Sequence, residues 1–318
     1  MKAAIIDQFG GPEIFKIKEI EKPKIRPDQL LVKLKTVGVN PIDWKQRNGN
    51  HRFVLGAPFP IVLGYDVCGE VVEIGNQVYK FKVGDEIFGV LDNKYGGALA
   101  EFAVGHENCF AIKPKEISNE EAAAFPMVAL TALQALRDKI NLRNDQTIVF
   151  NGASGGVGHI AVQIAKLMGA KIIAVAGKSS KEFVSQFNPD EFIDYTEQHI
   201  LNTNIKTDIF FDVIGNLTFP KIKHLLKPGG IYLNLNYIHS LTKLPVNIFH
   251  QLFSKGKKAK TLLMKHDSSD LDLISKWIQE KKIKICLDKI FPLDKIHEAH
   301  RYAEQGHNKG KNVIVISE

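Results

Sequence analysis

The stretch NGASGGVGHIAVQIAKLMGA, residues 151–170, constrains this chain more than any other. It follows TIVFN, a short β-branched run suited to a strand buried on both faces. Beyond the glycines, Val157, Ile160, Ala161, Ile164 and Leu167 fall on one face of a 3.6-period helix, and Gly169 is a natural C-terminal cap. Ala153, Gly155 and Gly158 therefore sit in a strand–turn–helix context. They fit the dinucleotide fingerprint with alanine in its first place. Each glycine has a physical task. Gly155 lets backbone N–H groups come close to a pyrophosphate, and Gly158 lets the helix pack on the strand. The helix N-terminus adds unpaired donors and partial positive charge. The plainer reading is a tight turn that holds no ligand.

The residues after the next strand bear on which dinucleotide is held. An NAD site usually places an acid about 20 positions past the glycines, on the ribose 2′-hydroxyl. Here that place reads Gly177, Lys178, Ser179, Ser180, Lys181, with no acid before Glu182. Two lysines and two hydroxyls suit a 2′-phosphate through charge-assisted hydrogen bonds. NADPH is the expected cofactor. The competing reading has a serine capping the next helix and the lysines in solvent.

The surrounding texture predicts an α/β protein. Residues 1–110 carry short apolar runs broken by Gly and Pro, among them LLVKLKTVGVN, CGEVVEIG, DEIFGV and AEFAVG, which predict a strand-rich region. Ser118 and Glu121 form a capping box, and Pro126 should interrupt the helix that follows. Residues 145–240 alternate strand and helix: TIVFN, KIIAVAG, EFIDY, DIFFDVIG and IYLNL as strands, SSKEFVSQF and TFPKIKHLL as helices, and KPGG as a turn. Repeated βα units imply a doubly wound parallel sheet. DLISKWIQEKK and LDKIHEAHRYAEQG read as later helices, and KNVIVI as a last strand.

Composition removes several classes. No run approaches the roughly 18 apolar residues of a membrane span. The opening MKAAIIDQFGG is too poor in apolar residues for a secretory signal, so a cytoplasmic protein is expected. The net charge of +7 is spread along the chain. Its densest run, KGKKAK at 255–260, reads as a solvated loop; with no interleaved aromatics, nucleic acid is not an expected partner. Cys68, Cys109 and Cys286 are widely spaced without a CxxC, which argues against a disulfide framework and a thiolate zinc site and for buried free thiols.

Several segments, in order and at matching spacing, carry a resemblance over nearly the whole chain. They are GVNPIDWKQRNG (38–49), FPIVLGYDVCGEVVEIG (59–75), FKVGDEIFG (81–89), GGALAEFAV (96–104), AAAFPMVALTALQAL (122–136), NGASGGVG (151–158) and EAHRYAEQGHNKGKNVIVI (298–316). The chain resembles the medium-chain dehydrogenase/reductase superfamily in its zinc-free quinone oxidoreductase branch. The resemblance implies a GroES-like β-barrel domain from residues 1–124 and 265–318, an inserted Rossmann NADPH-binding domain at 125–264, an active site in the cleft, and a homodimer. It implies that Ser154, Gly155, Gly156 and Val157 contact the pyrophosphate. Gly177, Lys178, Ser179 and Lys181 would surround the 2′-phosphate. Tyr195 and Asn216 would lie along the cofactor, with Thr131, Asn236 and Tyr237 near the nicotinamide.

The zinc-using branch has a Cys and a His where this chain has Asn40 and Tyr65. Asp66 alone cannot supply a tetrahedral site. HEAH, residues 297–300, lacks the HExxH pattern and falls on an ordinary C-terminal helix, so no metal is expected. Without one, a quinone or an α,β-unsaturated carbonyl is the easier hydride acceptor. Asn40, Lys45 and Tyr65 are the candidate catalytic groups, with Asp43 beside them. A zinc-free alcohol dehydrogenase and a non-catalytic NADPH-binding protein, used in sensing or RNA contact, are the competing readings.

Overall fold

The run TIVFN forms the strand Thr147–Asn151, with four of its five residues buried, as a strand covered on both faces requires. It opens a six-stranded, wholly parallel sheet. The spatial order is Glu191–Asp194, Lys171–Ala176, Thr147–Asn151, Thr207–Asp212, Leu226–Asn234 and Lys258–Thr261. The chain winds outward one way from Thr147–Asn151, then returns to its other side at Thr207–Asp212. Doubly wound sheets hold ligands at such a reversal, outside the carboxyl ends of the strands. The computed structural model describes residues 1–235 and 255–317. It comprises two compact units, Thr131–Lys265 and Met1–Leu130 with His266–Glu318.

Three local expectations need correction. The helix Gly156–Leu167 is buried without a break from Gly158 to Ala165, while Leu167 is exposed. The single apolar stripe fails because the helix is covered on two sides; Phe183 and Phe187 pack on His159 at 6.1 and 6.0 Å. KPGG is no free turn but an excursion inside the strand Leu226–Asn234. Leu226 pairs with Thr207 and Ile231 with Ile209, so the four residues between them face Asp208 alone. KGKKAK is only half a loop, since Lys258–Thr261 is the edge strand of the sheet. Lysines along an edge discourage a further strand from adding.

The other unit is built on a seven-stranded sheet in the order Leu287–Pro292, Lys311–Val315, Gln29–Val39, Asp66–Ile74, Glu86–Val90 and Phe110–Ile112, with Phe102–His106 also on Gln29–Val39. Lys311–Val315 lies antiparallel to Gln29–Val39 with Val313 opposite Gly38, so the C-terminal tail completes the N-terminal sheet. Val32, Leu34, Val67, Val71, Ile87, Phe110 and Ile314 form part of its fully buried core. The capping box is present: Ser118 Oγ accepts from the Glu121 N–H at 3.1 Å, and Glu121 Oε2 from the Ser118 N–H at 2.9 Å. That helix, Asn119–Ala124, stops before Pro126, which starts Pro126–Gln134. Gly38 lets the first helix lie on the sheet, because a Cβ there would collide with the Ala123 carbonyl oxygen. This is the GroES-like and Rossmann architecture that the resemblance implies.

Candidate functional site

The glycine loop is tied to the neighbouring strand: the N–H groups of Gly152 and Ala153 both donate to Val175 O at 3.1 Å. Gly155 is the N-cap of Gly156–Leu167. A Cβ on Gly158 would collide with the Gly152 carbonyl, so the helix can approach the strand only through glycine. A Cβ on Gly155 would meet only Gly152 O, at 3.7 Å, so that side is open. First-turn N–H groups have no intrahelical acceptor, and Ser154, Gly155, Gly156 and Val157 are half-buried around them. The residues fit a pyrophosphate: tight where helix meets strand, open where an anion would lie, and free of carboxylates within the loop.

Tyr195 follows the edge strand Glu191–Asp194 and lies against Gly177, whose Cβ would stand 3.1 Å from the Tyr195 hydroxyl. Tyr195 and Asn216 line one open pocket of about 270 Å³ with Asn151, His199 and Ile214. Asp212, wholly buried at the end of Thr207–Asp212, organises this end of the sheet. It accepts from Asn151 Nδ2 at 2.7 Å, from the N–H groups of Gly215 and Leu217 at 3.0 and 2.9 Å, and from the Tyr232 hydroxyl at 3.1 Å. Asn151 Nδ2 also reaches Asn216 Oδ1 at 3.2 Å. Sequence reasoning missed Asp212; its signal is a carboxylate closing an apolar strand.

Lys178, Ser179 and Lys181 are exposed, and Ser180 is buried. Lys178 Nζ donates to Glu197 Oε1 at 3.0 Å, and that bond holds the ammonium above the usual lysine range. Glu197 was also missed, because it lies 19 positions away and meets Lys178 only through strand pairing. Thr131 is half-buried on Pro126–Gln134. Asn236 and Tyr237 lie outside the described residues.

In the other unit the candidate acceptor-side residues are mostly turned inward. Asn40 is 1% exposed and caps the helix Pro41–Arg47. Its Nδ2 donates to Asp66 Oδ2 at 2.8 Å, and its Oδ1 accepts from Lys311 Nζ at 2.6 Å. Lys311 Nζ also lies 3.3 Å from Asp66 Oδ2 and donates to Val39 O at 3.1 Å. Burial raises the Asp66 carboxyl above its ordinary range, and Lys311 works against that shift. Asp43 Oδ2 accepts from the Asn40 N–H at 2.7 Å. Burial pushes the Asp43 carboxyl up to about 7.

Tyr65 donates to Lys94 O at 2.7 Å and accepts from Gln46 Nε2 at 2.6 Å. Burial raises its phenol well above the usual range. Lys45 differs from these neighbours. It is half-buried, its Nζ lies 5.5 Å from the Trp44 ring centroid, and burial lowers its pKa. It makes no ion pair among the described residues. Asp43 Oδ1, Trp44 Nε1, Gln46 Oε1, Arg47 Nη1 and His51 Nδ1 are buried without a hydrogen-bond partner among the described residues.

Among the described residues no three of His, Cys, Asp or Glu gather to hold a metal. His297 Nδ1 lies 2.8 Å from Pro12 O, and His300 is buried against Phe15 at 4.7 Å. Cys68, Cys109 and Cys286 are free and buried, and burial pushes the first two up to about 12. No helix among the described residues is long and apolar enough to cross a membrane.

One unit thus carries a dinucleotide-type glycine cradle on a doubly wound sheet, and the other a GroES-like sheet with a half-buried lysine. That pairing defines a dehydrogenase or reductase of two-domain design. The alcohol dehydrogenase GroES-like domain family matches residues 26–115, and the zinc-binding dehydrogenase family residues 188–314, a span containing neither Asn40 nor Tyr65. A chloroplastic quinone-oxidoreductase homolog of Spinacia oleracea is 34% identical over 314 residues, covering 96% of this chain and 95% of that protein. A 2-methylene-furan-3-one reductase of Solanum lycopersicum is 32% identical over 325 residues, covering 99% and 79%. The solved quinone oxidoreductase of Coxiella burnetii superposes with a TM-score of 0.93 at 30% identity, covering 100% and 99%. The chain belongs to the quinone-oxidoreductase branch of the medium-chain dehydrogenase/reductase superfamily. That family is one of NAD(P)H-dependent oxidoreductases.

Proposed function

We propose that this chain reduces a quinone or an α,β-unsaturated carbonyl with NADPH and without a metal. One observation carries the cofactor reading. The loop Gly177–Lys181 brings two lysines and two serines, and no carboxylate of its own, to the carboxyl end of the second strand, on the sheet that bears the glycine cradle. NADPH, when bound, supplies a hydride. The protein's part is to hold it and its acceptor in register and to stabilise charge on the acceptor oxygen.

Lys45 is the group we assign to that charge. A half-buried ammonium without a carboxylate partner acts on a developing oxyanion more strongly than a solvated one would. Tyr65 spends its hydroxyl proton on Lys94 O, which favours a role in positioning Gln46. Asn40 acts at one remove, through Asp66 and Lys311.

The metal-free part rests on the donor set. An amide and a phenol stand where the zinc-using branch has a thiolate and an imidazole, and both are poor zinc ligands. Asp66 is already neutralised by Lys311 at 3.3 Å, so a divalent ion would have to displace that ammonium. The names of the spinach and Coxiella relatives support a quinone, and that of the tomato relative supports an enone. RNA contact loses its main feature, because Lys257 and Lys260 of the basic run donate to the carbonyls of Lys223 and Lys139 at 2.8 and 2.7 Å. The same reading takes the protein as a homodimer on family resemblance; the chloroplastic spinach relative gives no support to a cytoplasmic location.

The test follows NADPH oxidation with panels of quinones and enones, and NADP⁺ reduction with simple alcohols, before and after dialysis against a chelator. Turnover with a quinone or enone, unchanged by chelation, is expected. Activity lost on chelation and restored by zinc would overturn the metal-free reading. Tight NADPH binding with no turnover on either panel would favour a non-catalytic role.

A further inference from the structure

Lys178, two residues beyond the strand Lys171–Ala176, is not alone. Parallel pairing sets Ala176 beside Asp194, so the strands Lys171–Ala176 and Glu191–Asp194 finish side by side. Glu197, just beyond, places its Oε1 3.0 Å from Lys178 Nζ. Asp194 adds to the negative potential at that ammonium. Its carboxylate is held in place, accepting from the Thr196 N–H at 2.9 Å and the Thr196 hydroxyl at 2.6 Å. An acid is thus present at this corner of the sheet, supplied from across a strand boundary.

Resting on the NADPH reading above, we propose that Glu197 is a specificity-determining residue, which engages Lys178 and narrows the preference for a 2′-phosphate over a 2′-hydroxyl. A 2′-phosphate must draw Lys178 away from Glu197 and then lie near that carboxylate. A 2′-hydroxyl can instead donate to a Glu197 oxygen. Lys178 and Glu197 are largely exposed, at 75% and 66%. Exposed ion pairs are weak and open readily. The pair therefore reduces discrimination without blocking NADPH.

The experiment titrates NADPH and NADH separately into the wild type and Glu197→Gln, at low and high salt, following nicotinamide fluorescence. Both side chains are solvent-facing, so the variant should fold; its thermal melt checks this. Glu197→Gln is expected to tighten NADPH by about three- to tenfold while NADH stays level or weakens, and the gain should shrink at high salt. Unchanged constants, or equal shifts for both dinucleotides, would overturn the proposal. The two readings fail separately: the wild-type ratio of the constants tests NADPH preference, and the change of that ratio in Glu197→Gln tests Glu197.

Discussion

Gly158→Ala is expected to damage the fold, whereas Gly155→Ala is expected to spare it and weaken cofactor binding. A Cβ on Gly158 would collide with the Gly152 carbonyl oxygen and stand 2.9 Å from the Ala153 backbone. Every obstacle there is main chain, so only movement of the helix against the strand can relieve it. Overpacking of this kind costs about 1–3 kcal/mol, often more against backbone, and should lower Tm by roughly 5 °C. Gly155 has φ −77°, which any residue adopts, and its Cβ would point into open space. Gly155→Ala should melt like the wild type, yet its methyl would stand where a diphosphate approaches. Its NADPH affinity should fall about 10- to 100-fold. Paired thermal melts and NADPH titrations check both. A Gly158→Ala protein as stable as the wild type would contradict the packing argument.

Lys311→Met should cost more. Lys311 is 3% exposed, and its ammonium serves Asp66, Asn40 Oδ1 and Val39 O at once. Methionine keeps the length of the chain and leaves Asp66 buried without a counter-charge. Breaking a buried pair from one side typically costs about 3–5 kcal/mol. The loss should depend on pH. Without Lys311, Asp66 stays protonated in the folded protein to a higher pH than now, while an unfolded aspartate ionises near 4. The folded state then holds the extra proton, so stability falls as pH rises above about 4, until Asp66 ionises in the folded state. Urea melts across the acid-to-neutral range should show the deficit opening with pH. Asp66→Asn combined with Lys311→Met should recover part of it, as a double-mutant cycle on a directly coupled pair requires. A Lys311→Met deficit that is small and level with pH would mean that the pair is not what holds this corner together.

What could be read from the sequence was mostly local. The strand–turn–helix around Gly155 and Gly158, the capping box at Ser118 and the restart at Pro126 are each decided within a few residues. The parallel sheet followed from repetition of βα units. Features set by neighbours distant along the chain were hidden. The Gly158 helix is covered on two sides, so its burial runs through His159 and Gln163 and blurs the stripe that pointed to Leu167. KGKKAK is too polar to read as strand, yet edge position rewards that polarity.

The candidate site divides in the same way. Tyr195 and Asn216 do meet in one pocket, because each follows a strand that ends at the same side of the sheet. Glu197 lies beyond the window in which an acid would be sought after the second strand. Asn40 is a candidate catalytic group by sequence, yet its amide is spent inside the fold. Its partners, Asp66 and Lys311, stand 26 and 271 positions away, and no local pattern announces them. Nothing in the sequence around Lys45 distinguishes it from a solvated helix lysine, and only burial by surrounding elements sets it apart.

The most direct test of the central claim is a pair of dissociation constants, NADPH and NADH, on the wild type and on Lys178→Ala/Lys181→Ala. The wild type should bind NADPH at least about tenfold more tightly, and the double variant should lose that advantage while its NADH constant stays level. Equal affinity for the two dinucleotides, unmoved by the substitutions, would make both lysines ordinary surface residues and would contradict the account.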